Sequence, residues 1–173
     1  MKALFVAATA VAAFASLAIA APASAQVTAS VAYSGANVDD ADFGAITGRG
    51  GWRSNWLGVE GEVSGGVKDD TVNVAGTNVK VDLKNQIAAY GVAYLPVAPN
   101  FDLFARVGYG QTRIDASAAG TTIAGTDHSW NYGAGGQYFF DANNGVRADY
   151  TRLDFDNSGV NADVWSVGYV RKF

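Results

Sequence analysis

The 173-residue chain contains no cysteine, so no disulfide can staple it and its stability must come from other interactions. Proline is scarce, at three residues, and histidine occurs once, as His128. Basic residues are outnumbered, 12 Lys and Arg against 16 Asp and Glu, and the formal net charge is −4. A chain so charged lacks the electrostatic footprint that holds phosphate backbones, which excludes nucleic acid as a partner. Helical periodicity is also missing from everything beyond Ala25. What remains is rich in glycine, with 21 residues, and in aromatics, at 12% of the chain. That combination suits a β-protein whose backbones approach closely.

The one long apolar run lies at the start. Lys2 supplies a positive n-region, Ala3 to Ala20 is uninterrupted by charge, and Ala23-Ser24-Ala25 is a small-residue cleavage signal. Residues 1–25 therefore read as a secretory signal peptide, the alternative being an anchoring helix of nearly spanning length. Residues 26–173 have the size of one domain.

Within that domain, alternating segments predict eight strands. The first runs from Val27 to Tyr33, the second from Phe43 to Arg53, and the third through "WLGVEGEVSGGV" after a tight turn at Ser54-Asn55. The fourth spans Val81 to Leu95, the fifth is "FDLFARVGYGQTRI" from Phe101, and the sixth carries Trp130 to Phe140. The seventh covers Val146 to Phe155 behind an Asn-Gly turn, and the eighth is the final "VWSVGYVRKF". Longer polar connections, "SGANVDDAD", "KDDTVNVAGTN", "DASAAGTTIAGTD" and "DNSGVNA", follow the odd strands, while short turns follow the even ones. An antiparallel up-and-down barrel with its loops gathered at one end has this asymmetry.

The two faces differ in bulk. One carries Tyr33, Tyr90, Tyr94, Phe101, Tyr109, Trp130, Tyr132, Tyr138, Phe140, Tyr150, Trp165, Tyr169 and Phe173, and the other mixes glycine with a few charges. Eight strands enclose a space barely wide enough for side chains, so the aromatic face is expected outside and the glycines and charges inside. Outward aromatics call for lipid, and lipid requires that every strand edge be closed. The fold expected is thus all-β, an eight-stranded antiparallel transmembrane β-barrel. A soluble periplasmic barrel binding a small ligand is the contrasting reading, which the polar inner face disfavours.

With "LGVEGEVSGG", "GVRADYTRLDF" and the terminal "VWSVGYVRKF", the chain resembles the small eight-stranded outer-membrane barrels of Gram-negative bacteria, the OmpA-like and OmpX-like superfamily. The resemblance covers residues 26–173 and implies a cell outer membrane location, a structural role, and contact with outer-membrane lipid and lipopolysaccharide. It also implies passage by periplasmic chaperones to the barrel-assembly machinery. That machinery reads the last strand in this family, so an assembly-signal role is implied for Trp165, Val167, Tyr169 and Phe173. Arg171 departs from the apolar residue the family prefers. No segment corresponds to the peptidoglycan-binding domain of longer OmpA proteins, and a monomer is expected.

Other residues invite chemistry. Glu60 and Glu62 share one face two positions apart, as an acid–base pair would, but Arg106, Arg147 and Asp149 supply matching charges for a salt-bridge network that fills the lumen. His128 and Ser129 are the residue types of a lipid esterase, yet neighbours on a strand point to opposite faces. Asp154, Asp156, Ser158 and Gly159 imitate the start of a calcium loop, whose twelfth position is Trp165 where glutamate is needed. Asp39, Asp40, Asp42, Asp69 and Asp70 are loop carboxylates suited to solubility or to ions beside lipopolysaccharide. No catalytic residue, cofactor or metal is expected, and the outer-membrane lipid enzyme remains the alternative function.

Overall fold

The computed structural model describes residues 25–38, 41–68, 70–74, 77–118, 121–156 and 159–173. Nine strand segments occur among them: β1 (Ala25–Val38), β2 (Ala41–Ser54), β3 (Leu57–Lys68), β4 (Asp70–Val74), β5 (Thr77–Ala98), β6 (Phe101–Ala118), β7 (Thr121–Phe139), β8 (Asn144–Phe155) and β9 (Asn161–Lys172). β3 and β4 both pair along β5, so they form one stave, and the wall has eight. Each pairing is antiparallel between chain neighbours, and the sheet closes where β1 meets β9. Residues 1–24, which fall within the segment 1–25 expected to be a signal peptide, lie outside the described residues.

Register fixes the shape of the barrel. From Trp130, successive cross-strand partners are Tyr109, Ala89, Gly61, Gly50, Ala29, Arg171 and Asn144. Asn144 returns to Phe140, the residue that follows β7 and lies ten residues from the start. With ~3.3 Å per residue and ~4.8 Å between strands, that shear tilts the staves by about 40°. The stretch from Trp130 to Phe140 then stands about 25 Å tall along the axis, the height of an outer-membrane apolar band.

The wall is inside-out relative to a water-soluble protein. Leu57, Val59, Ile87, Leu95, Val107, Trp130, Val167 and Trp165 are exposed, while Arg49, Glu60, Glu62, Arg106, Arg147 and Asp149 are buried. Aromatics form two outward girdles, Tyr109, Trp130, Tyr132 and Trp165 toward the long hairpins and Trp52, Tyr138, Phe140 and Phe173 toward the short turns.

Four expectations are corrected. The stretches read as the first three long loops are largely strand, because β1–β2, β4–β5 and β6–β7 continue their ladders beyond the apolar band. The turn after β2 falls at Asn55-Trp56, with Asn55 at a φ of 53°, and β5 runs past Pro96 with a register shift. Most important, Tyr90 and Tyr94 point into the lumen. Their face of β5 is Ala88, Tyr90, Val92 and Tyr94, all buried, whereas Ile87, Ala89, Gly91, Ala93 and Leu95 face out. Register imposes this: Tyr90 lies opposite Glu60 on β3 and Gly108 on β6, and partners in register share a face. Phe104 and Phe139 are also internal, so among the described residues four aromatic rings lie in the lumen with its charges.

Candidate functional site

The lumen is where polar chemistry concentrates. β3 presents Glu60 and Glu62, β2 presents Arg49, β6 presents Arg106, and β8 presents Arg147 and Asp149, each on the inward parity of its strand. Arg106 is the hub. Its Nη1 lies 3.1 Å from Glu60 Oε1 and 2.9 Å from Glu62 Oε2, and its Nη2 lies 3.2 Å from Asp149 Oδ2. Arg147 reaches Glu60 Oε2 at 2.5 Å and Asp149 Oδ1 at 3.2 Å. Arg49 binds Glu62 Oε2 at 2.6 Å and Asp149 Oδ2 at 3.3 Å. Three guanidiniums thus meet three carboxylates with no net charge. Such balance is what burial demands, since an unpaired ion there would be costly.

Rings complete the packing. The Arg106 guanidinium lies 4.3 Å from the Tyr90 ring centre and Arg147 lies 4.1 Å from that of Phe104. Toward the short turns a second layer follows, in which Arg53 pairs with Asp102 at 2.7 Å and covers the Tyr94 ring, and Gln137 donates to Asp102 at 2.9 Å. Lys172 Nζ sits 3.4 Å from the Phe139 ring centre at that mouth. On the other side of the network, Ser166, Ser34, Thr47 and Ser64 form a hydroxyl row linked at 2.7–2.8 Å. The stacked layers occupy the barrel's cross-section with fixed side chains.

The five expected lumen charges, Glu60, Glu62, Arg106, Arg147 and Asp149, therefore meet in one cluster. Sequence reading missed Arg49 and Arg53, although a signal was present: in β2 they share parity with Thr47 and oppose Ile46 and Trp52. It also places Tyr90 and Tyr94 with the lipid-facing rings, where volume alone would send them.

The remaining candidates do not converge. Ser129 is inward and donates to Asn131 at 2.7 Å, while His128 stacks on the outward Tyr109 at 5.7 Å, so the hydroxyl and the imidazole lie on opposite faces. Asp154 and Asp156 accept hydrogen bonds from the hydroxyls of Tyr132 and Tyr109 on the outer wall, and Ser158 lies outside the described residues. Asp39, Asp40 and Asp69 also lie outside them, as do the side chains of Asp42 and Asp70. Among the described residues no cluster of three or more His, Cys, Asp or Glu is arranged to hold a metal. In β9 Trp165, Val167 and Tyr169 are exposed, as is Phe173 just past its end, and the Phe173 N–H donates to the Val27 carbonyl at 2.9 Å.

Residues 3–173 match the family described as outer membrane protein beta-barrel domain. Curated protein sequences give no significant match. Among solved structures, Ail of Yersinia pestis, determined in complex with the heparin analogue sucrose octasulfate, is 20% identical with a TM-score of 0.61, covering 86% of this chain and 97% of that one. Neisserial surface protein A is 18% identical, with a TM-score of 0.59 and coverage of 87% and 98%. The N-terminal barrel of Pseudomonas aeruginosa OprF is 14% identical, with a TM-score of 0.57 and coverage of 83% and 96%. At these identities the likeness is one of fold.

Proposed function

The chain belongs to the outer membrane protein β-barrel family, and on that premise we propose that it is a plugged, structural barrel whose work is done by its outer wall and long hairpins. The observation that carries this is the charge-neutral cluster on Arg106, which fills the lumen with paired ions and rings. A barrel so filled offers solutes no path, and its only extensive surfaces are the lipid-facing wall and the extracellular hairpins. Those hairpins meet the environment and the wall meets lipopolysaccharide. In this reading the protein performs no catalysis, and the opposite directions of His128 and Ser129 support that. A cleaved leader exports it, periplasmic chaperones carry it, and the assembly machinery inserts it as a monomer.

The test has two parts. Unboiled protein in detergent gels should migrate differently from boiled protein, as closed barrels do. Purified protein in planar bilayers should show no steady current. A reproducible open channel would overturn the plugged reading while leaving the barrel itself standing.

A further inference from the structure

One charge in the wall faces lipid. Arg171 shares the outward parity of Trp165, Val167 and Tyr169 in β9 and is exposed. Among the described residues it is the one charged side chain on outward positions below the girdle of Tyr109, Trp130, Tyr132 and Trp165. Register sets its depth. Along the row of partners from Trp130 to Phe140, each strand crossed descends about 3 Å at a tilt near 40°. Arg171 is two strands short of Phe140, which places its backbone about 6 Å inside the apolar band. A charge at that depth is costly unless it reaches a partner, and it marks a site.

The side chain turns toward the short-turn rim. Its guanidinium lies 5.3 Å from the ring centre of Phe173, two residues nearer that rim. The aliphatic stem runs along the wall, as such stems do at interfaces. There Ala29, its partner on β1, is buried although it shares the parity of the exposed Val31 and Tyr33. The ring leaves the five N–H donors of the guanidinium open to an oxyanion. A carboxylate belongs to the same corner. Asn144 is the partner of Arg171 on β8, and its side chain binds Asp141 in the β7–β8 turn. Asp141 is exposed; hydrogen bonds from Asn144 and Asn143 lower its pKa, and the charge of Arg171 adds to them. Its Oδ1 accepts from the Asn143 and Asn144 N–H groups and from the Asn144 amide. Among the described residues its Oδ2 accepts from that amide alone.

The rim therefore presents a guanidinium and a carboxylate on neighbouring staves at headgroup level. Arg171 by itself would take any phosphodiester. Asp141 discriminates, because it repels a second negative charge and accepts hydrogen bonds from a primary ammonium. We propose that Arg171 and Asp141 form a binding site for one phospholipid of the periplasmic leaflet with a phosphoethanolamine headgroup, its phosphate on Arg171 and its ammonium on Asp141 Oδ2. Two carbons separate phosphate from ammonium in that headgroup, so one molecule spans both residues. A quaternary ammonium has no N–H to donate, and a glycerol headgroup brings no positive charge to Asp141. The site rests on the reading of the wall as lipid-facing and names the lipid that one part of the wall holds.

The experiment is native mass spectrometry of the folded barrel, released from micelles that hold equal amounts of phosphoethanolamine, phosphocholine and phosphoglycerol lipids with identical acyl chains. Wild-type protein should carry the phosphoethanolamine lipid several-fold more often than either of the others. Arg171→Leu should reduce that adduct several-fold, while Arg152→Leu, at the opposite interface, should leave it unchanged. Asp141→Asn should keep a bound lipid and lose the preference. Three results would overturn the proposal: phosphoglycerol lipid bound as well as phosphoethanolamine in wild type, an adduct that Arg171→Leu does not reduce, or a preference that survives Asp141→Asn. The gel shift of each unboiled protein reports separately whether the barrel has closed, so loss of the barrel is distinguished from loss of the site.

Discussion

Gly108 faces Tyr90 across the β5–β6 pair, and a β-carbon at Gly108 would come within 2.6 Å of Tyr90 Cδ1 and also run into the Ala89 carbonyl. The missing side chain is what lets the Tyr90 ring lie in the lumen beneath the Arg106 guanidinium. Gly108→Ala should therefore destabilise the barrel by about 1–3 kcal/mol, the usual cost of overpacking. Gly35 has nothing within 4 Å of its notional β-carbon, so Gly35→Ala should be close to neutral. Urea titrations followed by tryptophan fluorescence in detergent would compare them, and equal midpoints would contradict the account of Tyr90.

The position of the apolar band predicts a gradient on the lipid face. Following the register, the middle of the band crosses β6 near Ala105, with Leu103 and Val107 to either side and Gln111 beyond Tyr109. Ala105→Arg should cost roughly 2–4 kcal/mol, the value for arginine near the midplane, and Gln111→Arg should cost roughly 0–1. Folding yields into vesicles of defined lipid would rank the two. An inverted order would mean that the band is misplaced.

Arg106 holds three carboxylates at once, which makes it the residue whose loss leaves most charge unpaired. Arg106→Ala should destabilise by about 3–5 kcal/mol, as for other broken buried ion pairs. Arg152, on the outer wall with Asp154 and Asp163 at 3.4 Å, should be close to neutral when changed to alanine, because solvent screens such a pair. The same urea titrations apply, and similar losses for the two would deny the cluster its role.

The legible part of this fold was the part in which alternation and chemistry agree. On β6, Leu103, Ala105 and Val107 alternate with Asp102 and Arg106, and β8 and β9 are equally plain, so their faces were assigned from sequence alone. β5 misled because tyrosine is amphipathic: its ring suits a girdle, but its hydroxyl can serve a polar lumen equally well. What decides is the neighbour, Gly108 across the ladder, and that pairing depends on a register that no single strand encodes. Arg49 was hidden by the glycines around it, which weaken the alternation of β2. The extended hairpins were hidden because their small polar residues satisfy a loop and a solvent-exposed ladder alike.

Asp141 gives a pH prediction at the short-turn rim. Its carboxylate accepts from the Asn144 side chain and from the Asn143 and Asn144 N–H groups at 2.6–2.9 Å, and these bonds hold its pKa below the ordinary 3.8. A folded pKa lower than the unfolded one contributes stability above the unfolded value, lost as pH falls through the folded one. Asp141→Ala should therefore lower the urea midpoint at neutral pH, and the difference from wild type should shrink below about pH 4. A gap that stays constant down to acid pH would remove Asp141 from this role.

The last strand separates two causes of one defect. Phe173 is bound through its N–H to Val27 on β1, and Arg171 lies 5.3 Å from its ring centre, so the residue belongs to the seam where β9 meets β1. Removing the ring costs packing at an exposed rim, less than the roughly 1.5–3 kcal/mol of a fully buried side chain. The proposed reading by assembly machinery would add a loss that packing cannot produce. If recognition dominates, Phe173→Ala protein should fold into detergent almost as well as wild type, yet accumulate unassembled in the periplasm. If only the seam matters, losses in detergent and in cells should match. Normal assembly in cells would remove Phe173 from the signal and leave any such reading to Trp165, Val167 and Tyr169, which share its face of β9.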